Sequence, residues 1–242
     1  RYAISTRGGR IVSSRILHYV SLADADHRDT LELLPAGAGL LGGGLIGGGD
    51  TGRFDRTRFT ASADSLDATV RPAVLTLTGT SGAHSVELVY TFVADDYRIN
   101  VSGTVTGLGP AGGTLLVGMG NGFRNTEASA NDNNTASGIV TKFEKTHLTL
   151  FGKLKPRQLT TMSGPFDWMA VKSKYFVAGL FSYDSTSQGV HGGIGGVQAF
   201  AADTFHRPVR AQTAASLSVR SDGLFHWSLY LGPMEYDRLH RM

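Results

Sequence analysis

The segment Val86-Glu87-Leu88-Val89-Tyr90-Thr91-Phe92 and its answer Tyr97-Arg98-Ile99-Asn100-Val101-Ser102-Gly103-Thr104-Val105 set the architecture. In the first, apolar side chains recur at every second position, with Glu87 and Thr91 between them; in the second, Ile99, Val101 and Val105 share one parity. A period of two buries one face of a strand. Asp95-Asp96 between the runs supplies short polar side chains suited to a turn, so the two runs read as a hairpin. Upstream, Val74-Leu75-Thr76-Leu77-Thr78 runs into Ser81-Gly82 and predicts a second hairpin with Val86 onward. Near the end of the chain, Leu217 and Val219, then Phe225, Trp227, Leu229 and Leu231, alternate around the turn Ser221-Asp222-Gly223.

Helix signals are scarce. Pro233 suits the first helical position, where its missing N–H costs nothing. Tyr236 and Leu239 then share one helical face, so the spacing predicts a helix over 233–242. Many short strands, glycine-rich turns and one late helix point to an all-β, mainly antiparallel sandwich. Two stretches read as exposed loops. Residues 35–52 hold so much glycine that ordering them as a strand is entropically costly, and residues 126–138, with Asn131-Asp132-Asn133-Asn134, are polar and turn-forming. The expectation is one domain over 1–242, strand-rich over 1–232.

Composition narrows the function classes. The 242 residues contain no cysteine, which excludes disulfides, thiolate metal sites and thiol catalysis. The formal charge is +3, and the arginines are scattered from Arg1 to Arg241 with acids between them, unlike the concentrated basic patch of a nucleic-acid binder. The nearest approach to a membrane span, Pro35 to Gly49, is short and mostly glycine. The first residues show no initiator methionine and no signal-peptide pattern, so the chain reads as a piece of something longer.

Local motifs fail on their chemistry. Gly42-Gly43-Gly44-Leu45-Ile46-Gly47 satisfies the dinucleotide spacing, but Gly48-Gly49-Asp50-Thr51-Gly52 follows where a helix must start to hold a pyrophosphate. Counting a calcium loop from Asn131 places Ala136 where glycine is needed and Lys142 where a bidentate glutamate is needed. The histidines His18, His27, His84, His147, His191, His206, His226 and His240 never pair at metal-ligand spacing, and Gly79-Thr80-Ser81-Gly82-Ala83 lacks the last glycine of a nucleophile elbow. His226, between Phe225 and Trp227, belongs on the outer face of its strand. No cofactor or metal is expected.

Three ordered segments resemble the large periplasmic domain of the bacterial membrane-protein insertase YidC. The first is Ser5-Thr6-Arg7-Gly8-Gly9-Arg10-Ile11, where a glycine pair precedes alternating apolar residues. The second is Phe166 to Leu180, in which Trp168, Ala170, Lys174, Tyr175, Phe176 and Leu180 match the family pattern. The third is Leu229 to Leu239, with Gly232-Pro233 as a strand-to-helix turn; Met234 departs from the basic or polar residue common there. The residues alone read Trp168, Tyr175 and Phe176 as core aromatics and Lys174 as a chain snorkelling along apolar surface.

The resemblance implies a β-super-sandwich of the galactose-mutarotase-like type whose short C-terminal helix leads into a membrane core. It implies the periplasmic face of the bacterial inner membrane, a non-catalytic accessory role, and contact with Sec translocon components, membrane-protein clients and the membrane core of its own full-length chain. The isolated domain is expected to be monomeric. The fold kinship also raises an alternative, a carbohydrate-binding or aldose-epimerising sandwich, which needs a carboxylate base and a histidine acid at one cleft. Glu87 with His84, and Glu144 with His147, are the pairs close enough in sequence to suggest it.

Overall fold

The computed structural model describes residues 1–17, 19–23, 30–47, 49–183, 190–203 and 207–239. His18, His27, His206, His240 and the last three residues of the predicted terminal helix lie outside the described residues.

A small sheet joins β1 (Tyr2–Ser5), β2 (Arg10–Leu17) and β3 (Thr30–Glu32). A six-stranded antiparallel sheet contains β4 (Gly43–Gly47), β5 (Asp50–Gly52), β10 (Gly113–Gly118), β13 (Leu159–Phe166), β16 (Ile194–Phe200) and β17 (Gln212–Val219), in the order β13-β16-β17-β10-β4-β5. A nine-stranded antiparallel sheet contains β6 (Thr60–Ala61), β7 (Ala73–Ser81), β8 (His84–Phe92), β9 (Arg98–Val105), β11 (Gly138–Lys142), β12 (Thr146–Leu150), β14 (Trp168–Lys172), β15 (Phe176–Phe181) and β18 (Leu224–Pro233). Its order is β12-β11-β14-β15-β18-β9-β8-β7-β6.

The two large sheets pack face to face. Leu45, Leu115, Val117, Ile194, Val197 and Leu217 from one meet Leu77, Tyr90, Ile99, Met169, Leu180 and Leu229 from the other, all under a tenth exposed. Burial of each such side chain contributes about 1.5–3 kcal/mol. This is the predicted all-β sandwich. Both predicted hairpins form: β8 pairs with β9 and with β7 in antiparallel register. His226 is half-buried between buried Phe225 and Trp227, on the opposite face of β18 from them, as alternation requires.

Four expectations are corrected. Residues 35–52 are not a loop: they contain β4 and β5, and Leu40, Leu41 and Leu45 are buried core residues. The glycines there serve contact rather than flexibility. A Cβ on Gly43 would lie 1.7 Å from the Leu116 carbonyl oxygen, so only glycine lets β4 sit against β10. Residues 126–138 contain a helix, α1 (Ala130–Ala136). Ser129 Oγ caps its start by accepting the Asp132 N–H at 3.3 Å, Lys172 Nζ donates to the Ala136 carbonyl at 2.7 Å near its end, and Asn133 is buried. The polar run supplied caps and contacts, not a bare turn.

Gly232-Pro233 is not the strand-to-helix turn. Both residues end β18, opposite Val177 and Phe176, and the helix α2 (Tyr236–Leu239) starts three residues past Pro233. Proline is admissible at the last rung of a strand because no further ladder bond needs its N–H. Lastly, Tyr175 is not a core aromatic: it is half exposed at the tip of the β14–β15 turn, whereas Phe176 is buried and Trp168 half-buried. The turn at Ser221-Asp222-Gly223 forms, but β17 and β18 belong to different sheets, so it carries the chain across the sandwich.

Candidate functional site

The residues singled out in sequence gather mainly at one end of the nine-stranded sheet, where β15 starts and β18 stops. Phe176 pairs with Pro233 and Val177 with Gly232. The next backbone amide, Met234 N, donates to the Tyr175 carbonyl at 2.8 Å, so the chain leaves the sheet across the β14–β15 turn. That turn is held from behind. Ser173 Oγ accepts the Phe176 N–H at 3.2 Å, Asn133 Oδ1 of α1 accepts the Lys174 N–H at 3.3 Å, and Lys174 Nζ lies 3.8 Å from Asp132 Oδ2 and 5.2 Å from the Tyr175 ring centre. Lys174 thus reaches a carboxylate and an aromatic face.

The departing segment is clamped by three tyrosines and an ion pair. Tyr230, on the outer face of β18 yet 1% exposed, donates to the Pro233 carbonyl at 2.6 Å, and its ring meets Tyr97 edge-on at 6.0 Å. Glu235 accepts the Tyr19 hydroxyl on Oε1 at 2.6 Å and the Arg238 Nε–H on Oε2 at 2.7 Å. Arg238 Nη1 also donates to the Asp95 carbonyl at 2.8 Å, and its guanidinium lies 5.1 Å from the Tyr97 ring centre. The hydrogen bond to Glu235, with burial beside it, pushes the Tyr19 phenol up to about 12. Burial, then the Glu235 charge, raises Tyr97 and Tyr230. The first strand reaches the same end, since Tyr2 stacks on Phe92 at 5.8 Å. Both oxygens of Glu235 are engaged by donors that hold it in place.

Local sequence spacing does not reveal this clamp, because Tyr19 and Glu235 are 216 residues apart. The one signal was Tyr230, an aromatic on the parity opposite Leu229 and Leu231, which a solvent-facing position does not need. Gly8 and Gly9 stand apart from it. Gly8 (φ +85°) donates its N–H to the Thr57 carbonyl at 2.8 Å, and the Gly9 carbonyl accepts the buried Tyr90 hydroxyl at 2.7 Å. Their role is to lay the β1–β2 turn on the large sheet. Trp168 packs against Phe181, ring centres 6.0 Å apart, in a small apolar cluster with Ala170, Val177 and Tyr230 on the outer face.

The acid–base candidates do not share a cleft. His84 is buried while Glu87 is exposed, and their odd spacing puts them on opposite faces of β8. Glu144, in the bend before edge strand β12, and His147, on that strand, are both exposed and lie six strands from the pair on β8, or about 29 Å at the usual inter-strand spacing. His84 Nδ1 instead lies 3.3 Å from the Thr106 carbonyl. Among the described residues no group of three or more histidine, aspartate or glutamate side chains could hold a metal ion. No helix among them is long and apolar enough to cross a membrane.

Comparison with known proteins bears on this architecture. The family model described as YidC periplasmic domain matches residues 1–242. The membrane protein insertase YidC of Chlorobium luteolum is 29% identical over 160 residues, and that of Chloroherpeton thalassium is 28% identical over 172 residues. Each match covers 65% of this chain and 27% of the relative, so the chain spans about a quarter of the length of the curated relatives it matches. Among solved structures, a galactose mutarotase related enzyme from Lactobacillus acidophilus superposes with a TM-score of 0.47 at 11% identity, covering 95% of this chain and 93% of that one. With the family model matched from the first residue to the last, the chain belongs to the YidC periplasmic domain family.

Proposed function

We propose that this chain is the non-catalytic periplasmic domain of a membrane-protein insertase, lying at the outer face of the bacterial inner membrane and assisting insertion alone or with the Sec translocon. The family match across all 242 residues carries the reading. Two features of the fold support it. His84 and Glu87 lie on opposite faces of β8, and Glu144 and His147 are exposed at the sheet edge, about six strands from them, rather than set in one cleft. The clamp of Tyr19, Tyr97, Glu235 and Arg238 fixes the path of α2, which suits a domain passing load to a membrane core rather than one turning over a substrate.

The test uses the full-length protein in cells depleted of their own insertase. Restored insertion of a reporter client, read by protease protection, supports the reading; failure to restore any client overturns it. A photo-crosslinker placed along 131–161, where Leu148 is half exposed on edge strand β12, should yield adducts with Sec components. No adduct from any position overturns the Sec contact. The isolated chain should sediment as a monomer and leave the mutarotation rate of an aldose panel at its uncatalysed value.

A further inference from the structure

The turn between β1 and β2 gathers arginines that neither the clamp nor the core uses. Residues 6–8 pair with 57–59: Phe59 N donates to the Thr6 carbonyl and Gly8 N to the Thr57 carbonyl, each at 2.8 Å. Arg7 and Arg58 are therefore directly opposite each other, as an antiparallel bridge. Because the two hydrogen bonds flank them, they form the non-hydrogen-bonded kind of pair, with Cα atoms about 4.5 Å apart and side chains at their closest. Both residues are exposed. Like charges set opposite each other in this way destabilise a sheet.

Arg10 adds a third cation. Its stem lies in a slot walled by glycine: an added Cβ would stand 3.2 Å from its Cγ at Gly8, 3.3 Å from its Cδ at Gly39, and 2.4 Å from both atoms at Gly42. Its Nε is buried without a hydrogen-bond partner, which is costly for a charged group. The adjoining carboxylate is already committed. Asp55, whose carbonyl oxygen would stand 2.9 Å from a Cβ on Gly8, accepts from Arg53 Nε and Nη2 on its two carboxylate oxygens, each at 2.9 Å. Among the described residues the guanidinium groups of Arg7, Arg10 and Arg58 make no hydrogen bond or ion pair.

We propose that this turn is an anion site in which the Arg7 and Arg58 guanidinium groups together hold one phosphate group, with Arg10 adding to the local positive field. A guanidinium presents a planar fork of donors that matches two phosphate oxygens at once. A phosphate group carries close to two negative charges and three strong acceptor oxygens, so it accepts from both arginines and turns their repulsion into shared attraction. A carboxylate, with one charge, leaves one of the pair unneutralised. The source is a phosphate or phosphate ester in solution rather than a lipid headgroup. β1 starts at Tyr2, beside the clamp, and Arg7 lies five residues further on, roughly 16 Å from the end where α2 departs. That choice of source rests on the insertase reading, which turns the clamp toward the membrane; the site itself does not.

Inorganic phosphate is the probe, titrated calorimetrically into this chain in low-salt buffer at neutral pH, with chloride and acetate at equal ionic strength as references. Phosphate should bind with a dissociation constant of about 1 mM or below and raise the melting midpoint by a few degrees, while the references do neither. Arg7→Gln and Arg58→Gln should each weaken phosphate by at least about tenfold. Arg58→Lys, which keeps the charge and loses the fork, should weaken it several-fold. Arg58→Glu sets opposite charges across the bridge, so it should abolish binding and raise the melting midpoint in phosphate-free buffer above that of the unaltered chain. Both side chains are exposed, and matching circular dichroism spectra check that the variants fold. Phosphate binding no tighter than that of acetate, or unmoved in both glutamine variants, overturns the proposal. So does binding to phosphatidylglycerol vesicles with none to inorganic phosphate, which would assign the pair to lipid. Failure of the full-length protein to insert any client sinks the insertase reading instead, while phosphate binding by the chain remains measurable.

Discussion

Replacing Gly43 by alanine tests whether the glycine-rich stretch is there for contact. The added Cβ would stand 1.7 Å from the Leu116 carbonyl oxygen and 2.9 Å from its carbon, where real Cβ atoms keep at least 3.0 Å from any neighbour. Relief requires β4 and β10 to separate locally by roughly 1.3 Å, enough to break the hydrogen bonds nearest Gly43 in a ladder whose strands lie about 4.8 Å apart. Each lost backbone bond costs about 1 kcal/mol and the forced repacking about 1–3 kcal/mol more, for a loss of about 4 kcal/mol. For a chain of this size that lowers the melting midpoint by roughly 10 °C. Gly37→Ala is the control. Gly37 has φ +76° but nothing within 4 Å of an added Cβ, so the change brings backbone strain alone, about 1–2 kcal/mol. Urea unfolding followed by circular dichroism measures both. A Gly43→Ala loss no larger than that of Gly37→Ala would refute the contact explanation.

Other outcomes follow from the clamp, the small sheet and the two tryptophans. Arg238→Ala should raise amide exchange in 236–239 by at least about tenfold while moving global stability by less than about 1 kcal/mol, since the residue holds an end segment rather than the core. In a spectrophotometric titration, Tyr19→Phe should remove one phenol component near 12. Because that phenol is raised on folding, the clamp's contribution is complete below the unfolded value of 10.0 and fades as pH rises through about 12, so exchange in 236–239 should accelerate over that range. Glu32 shifts the other way: burial acts to raise its carboxyl, but hydrogen bonds from Ser13, Ser14 and Leu34 outweigh that. Its stabilising contribution is present above the unfolded value of 4.5 and is lost as pH falls through its lower folded value, and Glu32→Gln should flatten the acid limb of the stability curve. Iodide should quench half-buried Trp168 and spare Trp227, which is 2% exposed.

The sandwich was legible because its long strands carry a clean period of two: Val86, Leu88 and Tyr90 face the core and Glu87 faces water, so the alternation states both the conformation and the buried side. The glycine stretch was not legible, because entropy argues against a strand wherever glycine is dense, and the carbonyl of Leu116 that demands Gly43 lies 73 residues downstream. Asn133 and Tyr175 were misread for a related reason. Polarity suggested exposure for one and aromaticity suggested burial for the other, while the deciding contact, α1 against the Ser173-Lys174-Tyr175 turn, is tertiary. The resemblance named Phe176 and Pro233 in separate segments, and only the ladder of β15 with β18 brings them together. Glu235 and Arg238 lie within its third segment, but their association with Tyr19 is tertiary and no motif marks it.

β18 comes last in sequence among the described strands, yet it occupies the fifth of nine places in its sheet, between β15 and β9. A chain appearing from its N-terminus can pair β7, β8 and β9 on one side and β11, β12, β14 and β15 on the other, but the two blocks have no ladder between them until residues 224–233 arrive. Before then, β9 and β15 each present an open edge. The buried apolar row Trp227, Leu229 and Leu231 that bridges the blocks is also the last to be supplied. Folding of this sheet therefore waits on residues 224–233, and an interruption before them would leave two adhesive edges exposed at its centre.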